Sequence, residues 1–282
     1  MNSLLNKNVA ILGIKGSYHH EVANHIFGKS IKIKECYNFS DIPPLLVNEK
    51  VEKAVMAIEN SIVGAILPNY NLIHEYNLEI CGEYYLPIQH QLMCFRGQKL
   101  EEITEVHSHP MAIEQCRKFF RDYPHIKLIE AKDTALVAKE IQDKQLKGIA
   151  AIASKTASKI YNLEIVADNI QTNKDNYTRF VVVTNKRKST TTEYTKASIR
   201  FELSHTTGSL LRTLEVFKAN NLNMTKIQSL PVVDKPWEYA FFVDLVFDAS
   251  TGFEKALSSL KEETHAFKIL GKYTVSTYDY HS

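Results

Sequence analysis

Short apolar runs alternate with helical periodicity through the first two thirds of the chain. The apolar runs predict strands at residues 8–12, 31–36, 54–58, 105–107, 127–130 and 149–153. Helical patterns lie between them at residues 20–27, 41–48, 111–121 and 133–142. This alternation predicts a mostly parallel, doubly wound α/β sheet. Two further runs, at residues 78–86 and 90–95, predict antiparallel strands and a second lobe, with crossovers near residues 80–90 and 170–180.

The last third of the chain has a different pattern. Residues 188–195 are polar and lack apolar periodicity, which predicts a linker, with an ordinary surface loop as the alternative. The segments after it predict strands at 198–203, 224–230, 239–247 and 267–276, and helices at 208–219 and 252–261. The resulting order, β-α-β-β-α-β, is the ferredoxin-like split unit. We therefore predict an α/β domain over residues 1–187 and a ferredoxin-like domain over residues 196–282.

Composition narrows the function classes. The 282 residues include 34 Lys and Arg against 32 Asp and Glu, so the net charge is only +2. Nucleic-acid binding normally needs a clustered excess of cations, and no stretch reaches the ~18 apolar residues of a membrane span. The N-terminus shows no secretion signal. The chain's four cysteines form no CxxC pair, so we expect a cytoplasmic protein without a disulfide framework or a metal site.

Small polar residues follow several predicted strands, at the edge where α/β sheets bind ligands. Ser17 lies between the first strand and the first helix, where it binds an anion or caps the helix. Asn60 and Ser61 come directly after the strand at 54–58, and the same two interpretations apply to them. A threonine and an arginine, Thr178 and Arg179, enter a fully apolar strand, although threonine is common in strands.

A helix start is marked by Ser108, His109 and Pro110. Ser108 is the predicted N-cap, and Pro110 suits the first turn. Gln115 lies seven residues after Ser108, about two helical turns, so both side chains are expected on nearly one face. The histidines of the chain show no metal-ligand spacing.

Taken together, these segments resemble the prephenate dehydratases of the monofunctional bacterial type. The resemblance rests on Ala57-Ile-Glu-Asn-Ser61 with Gly64, Gly82-Glu83, Leu86-Pro-Ile88 with His90, Ser108-His-Pro110 with Gln115-Cys116, and Asn176 with Thr178-Arg-Phe180. It extends into the last third, where Gly208-Ser-Leu-Leu211 and Pro236-Trp-Glu-Tyr239 resemble an ACT domain.

The resemblance implies a two-lobed catalytic domain, similar to periplasmic binding proteins, followed by an ACT domain. It implies a reaction without a cofactor, in which prephenate loses carbon dioxide and a ring hydroxyl to give phenylpyruvate. It assigns Thr178 to the leaving hydroxyl, and Asn60, Ser108 and Gln115 to neutral hydrogen-bond donation. Glu59 is the candidate catalytic acid that the resemblance implies, ranked below Thr178. The substrate-binding residues implied in addition are Ser17, Ser61, Arg179 and Phe180.

For regulation, the resemblance implies L-phenylalanine binding at a subunit interface, and hence a homodimer or a dimer of dimers. The implied effector residues are Gly208, Ser209, Leu210, Leu211, Gln228 and Ser229. The segment Gln228-Ser-Leu-Pro231 lacks the charges usual at this place, and Ile14 and His19 depart from the usual first motif. Arogenate dehydratase and a non-catalytic amino-acid sensor remain as alternative functions.

Overall fold

The computed structural model describes residues 8–185, 194–232, 235 and 238–276, so most of the predicted linker lies outside the described residues. Two compact units are present. The first comprises residues 1–66 and 84–180, and the second comprises residues 67–83 and 181–282. The chain therefore leaves the first unit after residue 66, returns to it at residue 84, and leaves it again after residue 180. No described helix combines the length and the apolar character needed to cross a bilayer.

The described strands and helices follow each other as predicted for an α/β chain. The strands are β1 (Asn8–Leu12), β2 (Lys32–Cys36), β3 (Lys53–Asn60), β4 (Gly64–Ala65), β5 (Leu78–Pro87), β6 (Gln91–Cys94), β7 (Glu105–Ser108), β8 (Lys127–Glu130), β9 (Ile149–Ala153), β10 (Glu164–Ala167), β11 (Tyr177–Asn185), β12 (Lys196–Leu203), β13 (Asn223–Pro231), β14 (Tyr239–Val246) and β15 (His265–Tyr273). The helices are α1 (Tyr18–Phe27), α2 (Ile42–Val47), α3 (Leu67–Glu75), α4 (Pro110–Cys116), α5 (Thr134–Lys144), α6 (Lys155–Ile160), α7 (Ser209–Ala219) and α8 (Ser250–Glu263). Single 3₁₀ turns occur at Phe39–Asp41, Leu100–Glu102 and Phe119–Asp122.

The first unit contains two lobes, each built on its own sheet. In the first lobe β1 pairs in parallel with β2 and β3, β11 lies beside β3, and β5 lies beside β11. In the second lobe the strand order is β10-β6-β9-β7-β8, with β7 parallel to β8 and β9 and with β6 antiparallel to β9 and β10. The prediction of a two-lobed α/β part is confirmed, and its strands form two sheets rather than one doubly wound sheet.

Each lobe has an apolar core, because parallel strands that are covered on both faces read as continuous apolar runs. Residues 54–58 of β3 are all buried, and their side chains pack on both faces of the first sheet. Strand β9, with the sequence Ile-Ala-Ala-Ile-Ala, is the corresponding central strand of the second lobe. The small residues of β9 let α5 pack closely on the sheet.

Hydrogen bonds tie the two lobes together at their connections. The backbone N–H of Ile88 donates to the carbonyl of Asn176 at 2.7 Å, and that of Ile170 donates to the carbonyl of His90 at 2.9 Å. At another point the Ser154 hydroxyl donates to the Gly16 carbonyl at 2.7 Å. These hydrogen bonds fix the position of one lobe relative to the other.

The second unit contains the ferredoxin-like arrangement that the sequence predicts. Its strands lie in the order β13-β14-β12-β15, all antiparallel, and α7 and α8 cover one face of the sheet. Strand β15 continues the sheet to β5 in parallel, at Gly271 beside Ile80. A Cβ at Gly271 would stand 2.1 Å from the Ile80 carbonyl oxygen, so only glycine fits there.

Two local predictions are wrong. The predicted helix at 111–121 ends at Cys116 and is followed by a separate 3₁₀ turn. Glu59 and Asn60 do not follow the strand but form its last two positions, since Asn60 pairs with Gly64 of β4. The backbone of both residues is therefore positioned by a sheet rather than by a loop.

Candidate active site

A cavity of about 640 Å³ lies within the first unit, between its two lobes. The first lobe lines it with the ends of β1 and β3 and the start of α1, and the second lobe lines it with α4 and the start of α5. The polar and charged lining residues are Ser17, Tyr18, His19, Tyr37, Asn38, Asn60, His90, His109, Gln115, Lys132, Asp133, Thr134 and Thr178. One cavity is therefore shared by four of the predicted site residues, Ser17, Asn60, Gln115 and Thr178. Each of them can donate a hydrogen bond through a neutral group.

Asn60 is held by hydrogen bonds on both sides of its amide. Its Oδ1 accepts from the backbone N–H groups of Ile62 and Val63, each at 3.0 Å. Its Nδ2 donates to Asn176 Oδ1 at 2.8 Å, and its second hydrogen faces both Thr178 Oγ1 at 3.0 Å and the Tyr177 carbonyl at 3.1 Å. The side chain is 9% exposed, so these bonds are made largely away from bulk water.

Thr178 lies at the start of β11, beside the last residue of β3. Its Oγ1 accepts from Asn60 and is 9% exposed in the cavity wall. Among the described residues no acceptor for the Thr178 hydroxyl hydrogen is found, so the hydroxyl can donate to a bound molecule. Such a neutral donor suits an oxygen that gains negative charge during a reaction.

Gln115 reaches the same cavity from α4 in the other lobe. Its Oε1 accepts from Asn176 Nδ2 at 2.8 Å and lies 2.9 Å from His90 Nε2. Burial lowers the pKa of His90 to about 4, against a smaller opposing effect of the bond to Gln115. His90 is therefore a neutral imidazole near pH 7.

Ser108 does not face this cavity. It is fully buried, and its hydroxyl donates to the Ile152 carbonyl at 2.7 Å in the second lobe. The prediction that Ser108 caps α4 is wrong, because His109 is the N-cap and its ring accepts from the N–H of Met111 at 3.2 Å. Pro110 occupies the first helical position, which makes the residue directly before it the cap. Ser108 and Gln115 are thus not brought together.

Ser17 and Ser61 occupy different places. Ser17 lines the cavity, and as predicted it caps α1 by accepting from the N–H of His20 at 3.2 Å. Ser61 is exposed and lies outside the cavity lining. Its hydroxyl bridges β3 to the chain before β11, donating to the Asp175 carbonyl at 3.1 Å and accepting from the N–H of Tyr177 at 2.9 Å.

Of the neighbouring motif residues, only Phe180 reaches the lining. Its ring meets that of His19 edge to face at 4.9 Å. Arg179 is buried outside the cavity lining, with its guanidinium 3.8 Å from the Glu59 carboxylate and 6.0 Å from the Tyr85 ring centre. Glu59 and Arg179 therefore interact with each other beside the site.

Few charges face the cavity. Lys132 and Asp133 are its charged lining residues. Burial lowers the pKa of His19 to about 3 and also lowers the pKa of His109. Burial raises the pKa of Asp133, which caps α5 by accepting from the N–H of Leu136 at 2.7 Å. Both charged residues were overlooked in the sequence, although they stand at the start of the helix predicted at residues 133–142.

In the second unit a smaller cavity of about 330 Å³ lies at the start of α7. Its lining comprises Leu203, Ser204, His205, Thr206, Thr207, Ser209, Tyr239 and Phe241. Gly208 has a φ of +81°, a conformation that favours glycine, and it caps α7.

Of the predicted effector residues, Ser209 is part of this lining, and Gly208, Leu210, Leu211, Gln228 and Ser229 are not. Leu210 packs against the apolar core of the ferredoxin-like fold, whereas Leu211 is 60% exposed. Gln228 and Ser229 lie on the edge strand β13, where the Gln228 amide donates to the Ser229 carbonyl at 3.0 Å. The predicted effector residues therefore divide between the start of α7 and the edge strand β13.

The fold and the site together define a class of protein, a two-lobed α/β domain with a small-molecule cleft of mainly neutral donors, joined to a ferredoxin-like domain. The family model for prephenate dehydratase matches residues 9–188. The chain belongs to the prephenate dehydratase family. It is 36% identical over 267 residues to the bifunctional chorismate mutase/prephenate dehydratase of Aquifex aeolicus, covering 94% of this chain and 73% of that protein.

One further relative and two solved structures are also similar to this chain. An arogenate dehydratase/prephenate dehydratase 2 of Arabidopsis thaliana is 36% identical over 283 residues, covering 95% of this chain and 73% of that protein. The prephenate dehydratase of Arthrobacter aurescens, solved with L-Phe, shares the fold with a TM-score of 0.84 and 23% identity, over 95% of this chain and 90% of that one. The structure titled GqqA, a quorum quenching acylase, shares it with a TM-score of 0.86 and 24% identity, over 96% and 98%.

Proposed function

We propose that the chain converts prephenate to phenylpyruvate, as a hydro-lyase, in the synthesis of L-phenylalanine. The observation that carries this proposal is the Asn60–Thr178 hydrogen bond, because it leaves the threonine hydroxyl hydrogen available inside the cavity. The ring hydroxyl of prephenate is the group that leaves, and it needs a donor at that place.

In the proposed reaction the ring carboxylate departs as carbon dioxide, and its bonding electron pair enters the ring. The carbon–oxygen bond on the opposite ring carbon breaks, and its electron pair leaves with the oxygen. That oxygen becomes water by taking up one proton, which the bulk solvent supplies from hydronium or a buffer acid. The Thr178 hydroxyl donates to that oxygen as charge develops on it. Aromatisation of the ring drives the reaction, so the protein's task is to orient the substrate and stabilise the leaving group.

The neutral lining supports this chemistry. A cation paired tightly with the departing carboxylate would stabilise the ground state, and only interactions that strengthen in the transition state accelerate a reaction. We assign Gln115 and Ser17 to binding the substrate's polar groups and Asn60 to holding Thr178. Ser108 and the Glu59–Arg179 pair are assigned to supporting the site from outside its lining.

Arogenate dehydratase is the second candidate. Arogenate carries an ammonium group where prephenate carries a keto oxygen, and the Asp133 carboxylate in the cavity lining could pair with that ammonium. A non-catalytic sensor is disfavoured, since simple binding gives no role to the hydroxyl hydrogen of Thr178.

For regulation, we propose that the ferredoxin-like domain acts as an ACT domain that binds L-phenylalanine at the cavity beside α7. The related structure solved with L-Phe and the size of this cavity support that proposal. Edge strand β13 suits pairing with a second copy, giving a homodimer or a dimer of dimers. We place the enzyme in the cytoplasm, because a reducing compartment suits cysteines that form no disulfide among the described residues.

The deciding experiment is turnover of prephenate and of arogenate by the purified protein, with and without L-phenylalanine. Formation of phenylpyruvate is followed by its absorbance in base. Turnover of prephenate with inhibition by millimolar L-phenylalanine is expected. Preferential turnover of arogenate would favour the second candidate, and no turnover of either would overturn the proposed function. Calorimetry that shows no binding of L-phenylalanine would overturn the effector proposal alone.

A further inference from the structure

A continuous chain of side-chain hydrogen bonds connects the two lobes beneath the cavity. It runs from Thr178 to Asn60 at 3.0 Å, to Asn176 at 2.8 Å, to Gln115 at 2.8 Å and to His90 at 2.9 Å. Three of these five residues line the cavity on the first lobe or its connections, and Gln115 lines it on the second lobe. Asn176, the central residue, is fully buried.

Two backbone N–H groups determine which atom donates and which accepts in each of these hydrogen bonds. The N–H groups of Ile62 and Val63 can only donate, so the Asn60 atom that they contact is its oxygen. The Asn60 amide nitrogen must then donate to the oxygen of Asn176. The Asn176 nitrogen in turn donates to Gln115, which presents its oxygen.

His90 meets this same oxygen of Gln115. Because that oxygen only accepts, His90 must donate to it and must carry a hydrogen on Nε2. In a neutral imidazole Nδ1 is then an acceptor. The Tyr18 hydroxyl lies 2.8 Å from Nδ1 and 2.9 Å from the Gln89 carbonyl oxygen, and it has one hydrogen for these two acceptors. With the hydrogen of the ring fixed on Nε2 by Gln115, the tyrosine hydrogen goes to Nδ1 or is shared with the Gln89 carbonyl, and the two rings meet edge to face at 5.7 Å.

We propose that His90 is a positioning residue that, as its neutral Nε2–H tautomer, fixes the orientation of the Gln115 amide toward the substrate. The effect on the substrate rests on the proposed function, whereas the tautomer and the hydrogen bonds do not depend on it. The Gln115 oxygen is turned to His90 and Asn176, so its NH₂ group is left for the cavity. No acceptor for that NH₂ group is found among the described residues.

The orientation of the amide decides whether Gln115 presents hydrogen-bond donors or an acceptor to the substrate. With His90 in place, Gln115 offers two hydrogens to a carboxylate or carbonyl oxygen of the substrate. Without the donor at His90, the Gln115 oxygen keeps only the hydrogen bond from Asn176, and the amide can rotate by 180°. The carbonyl oxygen of Gln115 would then face a substrate that carries negative charge, and binding would weaken.

The test compares two substitutions with a control. His90→Leu removes the donor, and we expect kcat/KM for prephenate to fall about 10- to 100-fold, mainly through KM, as for the loss of a hydrogen bond to a charged group. His90→Gln keeps an amide donor and is expected to recover most of that loss. His125→Leu, at an exposed histidine outside the cavity, is the matched control. Equal losses in His90→Leu and His90→Gln would overturn the positioning role.

A second measurement is independent of turnover. In ¹⁵N-labelled wild-type protein near pH 7, we expect a pyrrole-type nitrogen shift at Nε2 of His90 and a pyridine-type shift at Nδ1. The opposite pattern, or an imidazolium, would overturn the inference even in an active enzyme. If the protein turned over no prephenate but showed the expected tautomer, the proposed function would be wrong, whereas the hydrogen bond from His90 to Gln115 would be confirmed.

Discussion

The Nδ2 of Asn60 lies 3.0 Å from the Oγ1 of Thr178, although 118 positions of sequence separate the two residues. The contact exists because β11 lies beside β3 in the first sheet, so the last residue of one strand meets the start of the other. The amide donates and the hydroxyl oxygen accepts. The hydroxyl hydrogen is thereby directed away from Asn60 and is available to the substrate's leaving group.

Thr178→Val tests the hydroxyl itself. Valine has nearly the same shape as threonine, so the fold should be kept while the donor is lost. We expect kcat for prephenate to fall by about 100-fold or more, as for the removal of a preorganised donor to a developing oxyanion. Steady-state kinetics measures the change, and Thr178→Ser, which keeps a hydroxyl, is the matched control. Full activity in Thr178→Val would remove Thr178 from the mechanism.

Asn60→Asp separates the two functions of the asparagine. An aspartate oxygen still accepts from the backbone N–H groups of Ile62 and Val63, so the turn after β3 should persist. The second oxygen cannot donate, and it would attract the Thr178 hydroxyl hydrogen away from the cavity. We expect kcat to fall at least about 100-fold while circular dichroism stays unchanged. An active Asn60→Asp enzyme would show that the direction of this hydrogen bond does not matter.

Much of the architecture could be predicted because its signals are local. In β12 the apolar residues Ala197, Ile199, Phe201 and Leu203 alternate with polar ones, and they form the core under α7 and α8. That alternation and the glycine before α7 were enough to predict the ferredoxin-like unit. The insertion of residues 67–83 into the second unit could not be predicted, since it depends on long-range packing that leaves no periodic signal.

The candidate site was less predictable for the same reason. Thr178 and Asn60 were assigned through family resemblance, because no spacing along the chain shows that two strands will become neighbours. The hydrogen bonds that join His90, Gln115 and Asn176 depend on three segments that are far apart along the chain and meet only in the folded structure. The N-cap of α4, in contrast, could have been placed correctly, since Pro110 at the first helical position already identifies His109 as the cap.

Ser108→Ala tests whether that serine acts on the substrate or on the fold. Its hydroxyl donates to the Ile152 carbonyl and lies outside the cavity lining. We expect the free energy of unfolding to fall by about 1–3 kcal/mol, because the buried carbonyl loses its donor. We also expect kcat to change less than about 3-fold, well under the loss caused by removing a donor to the transition state. Urea denaturation and kinetics on the same preparation measure both. A large loss of kcat with unchanged stability would return Ser108 to the catalytic group.

Two buried histidines should make stability fall in mild acid. Burial lowers the pKa of His19 to about 3 and of His90 to about 4, from 6.5 in the unfolded chain. Between pH 6.5 and about 4 the unfolded state binds these protons and the folded state does not, so the free energy of unfolding decreases as the pH falls. Each histidine contributes up to about 1.4 kcal/mol per pH unit within that window.

His19→Gln isolates one of these contributions. Glutamine can keep an acceptor for the backbone N–H of Ala57, which His19 Nε2 accepts at 3.2 Å, but it does not titrate. Urea denaturation between pH 4 and pH 8 should therefore show a shallower acid slope for His19→Gln than for wild type, by about one proton per molecule. His125→Gln, at an exposed position, should keep the wild-type slope. Parallel curves for His19→Gln and wild type would mean that His19 binds its proton equally in both states, and its burial would then have no effect on acid stability.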